Sequence, residues 1–267
     1  MPQNVWELPE RGPTGDSPQR TEPELSSIIP NENKLSYDMR RILELVFDKD
    51  SWFEIGPYWG RSLICGLARL DGYPVGVFAN DNRFYAGAMT ADASQKVRRL
   101  IDLCQQFHLP IVNFQDEPGF MIGPEAEQAS TIRYGTAFVL AAATCVVPWA
   151  CVQIRKSFGV AGAGHFAPDN YVLAWPSVQS GALPIEGGVA VAFRREIEAA
   201  PDPDAKRKEL EEELLAQQSP FPRGEGMGVH ELIDPMETRP FLCDWAETVQ
   251  ALLPELKGPV AFSFRGT

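Results

Sequence analysis

The chain has 267 residues, 44% of them hydrophobic and 22% charged, a balance typical of a globular protein that buries a sizeable core. Its net charge of −12 argues against nucleic-acid binding, because phosphate contacts need clustered lysine and arginine. The five cysteines show no C-x-x-C spacing, so we expect buried free thiols in a reducing cytoplasm rather than disulfides or a metal site.

The N-terminal part of the chain differs in composition from the rest. Residues 1–35 are rich in proline and polar side chains and show no periodic apolar pattern. We therefore expect an extended arm or linker over residues 1–35 and one folded domain over residues 36–267. No basic stretch followed by an apolar one is visible at the N-terminus, so no signal peptide is predicted.

The first predicted elements of the domain are a hairpin and a helix. Apolar runs at 63–68 and 75–79 flank the turn signal Asp71-Gly72, which predicts two antiparallel strands. Asp92 is the predicted N-cap of an amphipathic helix over 93–108, because apolar residues recur there at helical spacing. A strand over 110–114 follows, and then a loop over 116–120.

The apolar stretch 136–154 is nearly long enough to span a bilayer, but Pro148 interrupts it. A buried helix over 124–145 followed by a strand over 149–154 fits the pattern better, so no membrane association is predicted. A glycine-rich turn at 155–164 comes next.

The remaining elements complete an alternating pattern. It consists of a strand at 171–175, a helix from about Glu186, and helices over about 203–217 and 241–252. Strands that alternate with helices predict βαβ units, and hence an α/β fold with a mainly parallel sheet. Ligands of such sheets bind after the carboxyl ends of strands, which selects the loops 115–124 and 155–165.

Common catalytic signatures are absent from the sequence. It contains no phosphate-binding P-loop, no nucleophile elbow and no zinc-protease motif, and the glycines of 159–164 lack G-x-G-x-x-G order. His108 is predicted to contact the C-terminal dipole of its helix, His230 to be structural, and His165 to flank the glycine-rich turn. Either the chain is not an enzyme, or its chemistry runs on backbone dipoles and a cofactor.

Several short motifs, in the same order over about 210 residues, carry a resemblance to one enzyme family. They are IIP at 28–30, YDMR at 37–40, SWFEI at 51–55, DGYPVGV at 71–77, PGFMIG at 118–123, EAE at 125–127, IRYG at 132–135, RKSFG at 155–159, and IDP and ETRP within 233–240. The chain resembles the C-terminal half of biotin-dependent acyl-CoA carboxyltransferases, the β-type subunits of propionyl-CoA and acetyl-CoA carboxylases.

The resemblance implies a crotonase-like (ββα) superhelix, with a mainly parallel curved sheet and surrounding helices. It implies that this half binds carboxybiotin and that an N-terminal-half subunit binds the acyl-CoA. The sequence also lacks a Met-Lys-Met biotin-attachment motif and an ATP-grasp region. Biotin carboxylase and biotin carrier protein are therefore expected as further partners, in a large hetero-oligomer of the hexamer-ring type.

The family's site residues map onto the two loops. The transfer of CO2 needs N–H donors for developing anions more than it needs a protein base. The resemblance assigns backbone donors to Val160 and Ala161, biotin contacts to Gly159, Gly119 and Phe120, and the acyl pocket to Gly162 and Ala163. No metal is expected.

Two of these positions depart from the family pattern. Val160 stands where relatives carry glycine, and a valine serves as a donor only if its φ is negative. Ala163 stands where propionyl-CoA enzymes commonly carry an acidic residue, so we expect a roomier, uncharged pocket and a substrate other than propionyl-CoA.

Alternatives remain open at this point. The same donors would serve the decarboxylation of a malonyl-type thioester, and the chain could instead be a catalytically silent scaffold subunit, for which Val160 is the best argument. The glycines of the turn could serve tight packing alone, and Phe120 could be a buried loop anchor rather than a biotin contact.

Overall fold

The computed structural model describes residues 1–32, 35–182 and 185–260. Within this part of the chain an eight-stranded sheet has the order β1-β2-β3-β4-β5-β6-β8, and β7 pairs with the far end of β5. β1, β2 and β3 are antiparallel neighbours, and all later pairs are parallel. The strands are β1 Phe53–Glu54, β2 Leu63–Leu70, β3 Tyr73–Asn80, β4 Ile111–Glu117, β5 Trp149–Phe158, β6 Asn170–Ala174, β7 Gln179–Gly181 and β8 Glu231–Leu232.

Helices cover both faces of the sheet. They are α1 Met39–Val46, α2 Ala91–Gln106, α3 Pro124–Gln128, α4 Thr131–Ala143, α5 Gly159–Ala163, α6 Ile185–Ala192, α7 Arg194–Ala199, α8 Pro203–Gln218, α9 Pro220–Glu225 and α10 Thr238–Thr248. Short 3₁₀ helices lie at Pro23–Ser27, Tyr85–Gly87, Pro235–Glu237 and Val249–Leu256. Among the described residues, none of the helices has the length and hydrophobicity that a membrane-spanning helix requires.

Two buried clusters lie on opposite faces of the sheet, because successive side chains of a strand point in opposite directions. Val77 and Ala79 of β3 join the cluster beneath α1 and α10, whereas Phe78 between them joins the cluster beneath α2 and α4. Phe78 meets Trp149 of β5 edge to face, with ring centroids 5.5 Å apart. The antiparallel hairpin and the mainly parallel sheet are thus confirmed.

Several predicted boundaries were wrong. Helix α2 begins two residues earlier than expected because Thr90, and not Asp92, is its N-cap: the Thr90 hydroxyl accepts the amide of Ala93 at 3.1 Å. The predicted helix over 124–145 is two helices, α3 and α4, separated at Ser130, whose φ of +62° breaks the helical path. The last predicted helix ends at Thr248 and continues as a 3₁₀ helix.

Two strands are longer than predicted, which matters for the site. β4 continues through Asp116 and Glu117, which were expected in a loop, and both side chains are buried. β5 continues to Phe158, so most of the predicted glycine-rich turn is the end of a strand followed by the short helix α5. The C-terminal end of β5, from Lys156 to Phe158, pairs with β7. β1, β7 and β8 are two or three residues long and were not predicted.

The segment predicted as an N-terminal arm contacts the rest of the chain at widely spaced points. His108 was expected to contact a helix dipole, but its ring is fully buried and its Nε2 lies 2.7 Å from the carbonyl oxygen of Val5. Arg155 donates to the carbonyls of Glu32 and Leu35 at 3.1 and 2.9 Å. Residues 33–34 of the predicted arm, and residues 183–184 and 261–267 of the predicted domain, lie outside the described residues.

Candidate functional site

The two loops selected from the sequence lie side by side. Loop 118–123 follows β4 and helix α5 follows β5, and these strands are parallel neighbours with Ile111 opposite Trp149. The loop is also tied to the segment before α2, because the Met89 amide donates to the Gly119 carbonyl at 3.0 Å and the Met121 amide donates to the Met89 carbonyl at 2.9 Å. The carboxyl edge of the sheet therefore holds both candidate segments.

Helix α5 presents main-chain donors. Gly159 begins it with a φ of +61°, a conformation that glycine adopts at little cost. Val160 lies inside the helix and is not among the described residues with positive φ. It therefore has the negative φ that a valine needs in order to serve as a donor here. The N–H groups of Val160 and Ala161 lie in the first turn, where no intrahelical acceptor exists, and the preceding Phe158 provides no side-chain cap.

The exposure of these residues differs along the helix. The Val160 side chain is 68% exposed, whereas Ala161 is buried against α4 and Ala163 is exposed at the helix end. Gly162 is buried, and its carbonyl accepts from Gln115 Nε2 at 3.0 Å. Packing thus fixes one side of α5, and solvent reaches the side that carries Val160.

Loop 118–123 is anchored by its own residues. The Gly119 amide donates to Glu117 Oε1 at 2.9 Å. Phe120 is partly buried against α4, where a Cβ on Gly135 would come within 2.3 Å of the Phe120 ring. This contact accounts for Phe120 as a loop anchor, and its contact with biotin stays a prediction.

Beneath the two segments lies a buried polar network that the sequence did not predict. Glu117 and His165 are fully buried, and His165 Nε2 lies 3.4 Å from Glu117 Oε2. His165 was expected to flank the site, and the structure packs its buried ring against the rings of Phe78 and Phe138. The one sequence signal for this network was the run of three polar residues, Gln115 to Glu117, directly after an apolar strand.

A second buried carboxylate links the same strand to the segment that precedes α1. Asp116 accepts from the Tyr37 hydroxyl at 2.9 Å and from the Lys156 amide at 3.1 Å. Burial raises the pKa of Asp116, and burial beside that carboxylate also raises the pKa of Tyr37 well above its usual value.

We expect the substitution Tyr37→Phe to lower the free energy of unfolding by about 1–3 kcal/mol, because it leaves a buried carboxylate oxygen without its donor. Asp116→Asn is the matched control. Its amide can still accept from Lys156 and can donate to the Tyr37 oxygen, so a smaller loss is expected. Urea unfolding followed by circular dichroism measures both, and equal losses would contradict the assigned role of the hydroxyl.

The cysteines take no part in the candidate chemistry. All five are free and buried, as predicted. Burial raises the pKa of Cys151, which lies nearest the network, to about 12, so this thiol stays protonated at neutral pH. Among the described residues no three His, Cys, Asp or Glu side chains converge as metal ligands.

The neighbouring cavity does not enclose the donors. A cavity of about 810 Å³ borders loop 118–123, and its lining includes Met121 to Ala126 but no residue of α5. Helix α5 therefore does not line this cavity, and the Val160 side chain is exposed outside it.

Comparison with known proteins identifies a family. A family model described as a carboxyl transferase domain matches residues 1–250. The chain is 36% identical over 245 residues to a propionyl-CoA carboxylase carboxyltransferase subunit of Haloferax mediterranei, covering 90% of this chain and 47% of that protein. It is 32% identical over 243 residues to the methylmalonyl-CoA decarboxylase subunit alpha of Veillonella parvula, covering 90% and 46%.

A solved structure agrees with these relatives. The transcarboxylase 12S structure, described as a hexamer with methylmalonyl-coenzyme A and methylmalonic acid bound, superposes with a TM-score of 0.88 at 28% identity, covering 100% of this chain and 51% of that one. This likeness confirms the predicted crotonase-like fold. The chain spans about half the length of the curated relatives it matches. It belongs to the carboxyl transferase domain family.

Proposed function

We propose that this chain is the biotin-side carboxyltransferase component of an acyl-CoA carboxylase, corresponding to the C-terminal half of its longer relatives. The observation that carries the proposal is the pair of uncapped N–H groups of Val160 and Ala161 at the carboxyl edge of the sheet. Main-chain donors that are fixed before reaction stabilise developing negative charge without reorganising.

In this proposal, the main chain of α5 and of loop 118–123 forms the biotin site. Carboxybiotin, when bound, supplies the CO2 that is transferred to the α-carbon of the acyl thioester. The amides of Val160 and Ala161 would hold the ureido oxygen of biotin, and Gly159 and Gly119, which lack a side chain, would leave room for the ring beside the main chain. The buried faces of Ala161 and Gly162 keep α5 in place. No side-chain base is required of this chain.

The exposed position of α5 supports a partner. Because Val160 faces solvent, a second surface is needed to exclude water from the reacting groups. We propose that an N-terminal-half subunit provides this surface and binds the acyl-CoA, in a ring comparable to the hexamer of the 12S structure. Biotin carboxylase and biotin carrier protein complete the enzyme.

The acyl pocket is proposed to be uncharged. Ala163 ends α5 with a small, exposed side chain at the position where propionyl-CoA enzymes commonly carry an acid. We therefore propose a substrate other than propionyl-CoA, with a bulkier acyl group. A kcat/KM for propionyl-CoA above that for longer acyl-CoAs would contradict this choice.

A reconstituted complex tests the function. The chain, its first-half subunit, biotin carboxylase and carrier are incubated with ATP, labelled bicarbonate and a panel of acyl-CoAs. We expect acid-stable label in the thioester that requires ATP and this chain. Absence of label with every acyl-CoA, in a complex whose carrier becomes carboxylated, would overturn the proposal.

A second candidate is the reverse reaction, favoured by the similarity to a methylmalonyl-CoA decarboxylase subunit. The same donors serve both directions. Release of labelled CO2 from a malonyl-type thioester without ATP, and no carboxylation with ATP, would select it. A catalytically silent scaffold was argued from Val160, and the helical conformation of this residue favours the donor role instead.

A further inference from the structure

The carboxylate of Glu117 joins the two segments of the candidate site. It is fully buried, and it accepts three N–H donors. The Gly119 amide of loop 118–123 donates to Oε1 at 2.9 Å, and Asn80 Nδ2 donates to Oε2 at 2.9 Å. The third donor is Nε2 of His165, a residue that follows α5 in the chain, at 3.4 Å. A buried carboxylate is costly unless it is hydrogen-bonded. Loss of any of these donors would therefore destabilise the buried Glu117 side chain.

The tautomer of His165 follows from its neighbours. Trp149 Nε1 is a donor only, and it lies 2.6 Å from Asn113 Oδ1, which fixes the orientation of the Asn113 amide. Asn113 Nδ2 therefore faces His165 Nδ1, at 3.0 Å. His165 Nδ1 must be the acceptor, and the ring proton is on Nε2, where it points at Glu117.

His165 is also hydrogen-bonded to α5. Its amide donates to the Gly162 carbonyl at 3.2 Å, and Gln115 Nε2 donates to that carbonyl at 3.0 Å. The Phe78 and Phe138 rings also pack against the imidazole, with centroids 5.3 and 6.2 Å from that of His165. A shift of loop 118–123 relative to α5 must therefore break a contact of Glu117 or of His165.

We propose that Glu117 and His165 are positioning residues that set the separation between loop 118–123 and the donors of α5. This inference rests on the proposed function for its catalytic consequence, although the linkage itself does not. Neither side chain reaches the surface, so neither contacts substrate. Misplacement of about 1 Å at a reacting centre can cost up to 10²-fold in rate.

Two substitutions of His165 distinguish the effect of its hydrogen bond to Glu117 from the effect of side-chain packing. The amide nitrogen of glutamine can replace Nε2 of histidine, so His165→Gln retains the donor to Glu117. The oxygen of asparagine can replace Nδ1, so His165→Asn retains only the contact with Asn113. In the reconstituted complex we expect H165N to lower kcat about tenfold or more with KM unchanged, and H165Q to stay within about threefold of the wild type.

His108→Asn supplies the control for loss of a buried imidazole. His108 is also fully buried but lies outside the network, and asparagine tolerates its φ of +56°. H108N is expected to lower the melting temperature without changing kcat. Equal kcat losses in H165N and H165Q, or an unchanged kcat in H165N, would overturn the proposal.

A measurement that needs no activity distinguishes failure of this inference from failure of the proposed function. Nitrogen-15 NMR of the full chain reports which ring nitrogen of His165 carries the proton, and hydrogen exchange reports protection of the Gly119 amide. We expect the Nε2–H tautomer in the wild type, and faster Gly119 exchange in H165N than in H165Q. A wild-type Nδ1–H tautomer would overturn the linkage whether or not the complex is active.

Discussion

Replacing Val160 by proline is expected to lower kcat for CO2 transfer by about 10²–10³-fold, because it deletes one N–H donor to the developing anion. The substitution suits the site. Proline is compatible with the first turn of a helix, where its missing N–H breaks no intrahelical bond. The preceding residue is Gly159, which has no Cβ to meet the proline ring, so its N–H is the one group of that residue left to crowd the ring. The Val160 side chain is 68% exposed, so little packing is lost.

The controls for V160P retain the N–H group. Val160→Ala and Val160→Gly change the side chain alone, and we expect both to stay within about threefold of the wild type, because the donor is unaffected. Circular dichroism and the melting temperature verify the fold of each variant. A V160P complex with normal turnover would remove this amide from the mechanism, and a sharp gain of activity in V160G would revive the silent-scaffold interpretation.

Replacing Arg239 by alanine is expected to lower the free energy of unfolding by about 3–5 kcal/mol, because it leaves a buried carboxylate without its cation. Arg239 is 1% exposed, and its Nη2 donates to Asp48 at 2.7 Å. Its other nitrogens donate to the carbonyls of Val46 and Ser17, each at 2.9 Å. One guanidinium thus connects α10, the end of α1 and the N-terminal arm.

The matched control for R239A is Arg194→Ala. Arg194 pairs with Glu198 on an exposed helix surface, where the two side chains are 75% and 62% exposed. Such pairs contribute about 0–1 kcal/mol, so little change is expected. Urea unfolding measures both variants, and a loss below about 1 kcal/mol in R239A would show that Asp48 finds another partner or becomes hydrated.

Alternating strands and helices were enough to predict the five longest strands, β2 to β6, and several of the covering helices, but not α1. The errors have physical causes. Gln115, Asp116 and Glu117 have the composition of a loop, and only their distant partners make them part of a buried strand. Ser130, which precedes helix α4, has a left-handed conformation that no glycine or proline at this position indicates.

The position of the candidate site in the chain was predictable, but the backbone conformation and the contacts that form it were not. Short motifs located both loops, whereas the conformation of Val160 depends on Gly159 taking the positive φ in its place. The contact between Glu117 and His165 joins residues 48 positions apart, and periodicity carries no information about such pairs. The role of His108 was missed for the same reason, since its partner, Val5, lies in the arm.

The donors proposed for helix α5 are main-chain atoms, which has a consequence for mutagenesis. An alanine scan exchanges side chains and retains every N–H group, so it would report residue 160 as dispensable and would find only the supporting residues behind it. Exchange of the amides of residues 160 and 161 for esters removes the donors one at a time and leaves each side chain in place. For this chain, amide-to-ester exchange, and not side-chain mutagenesis, is the experiment that tests the proposed donors.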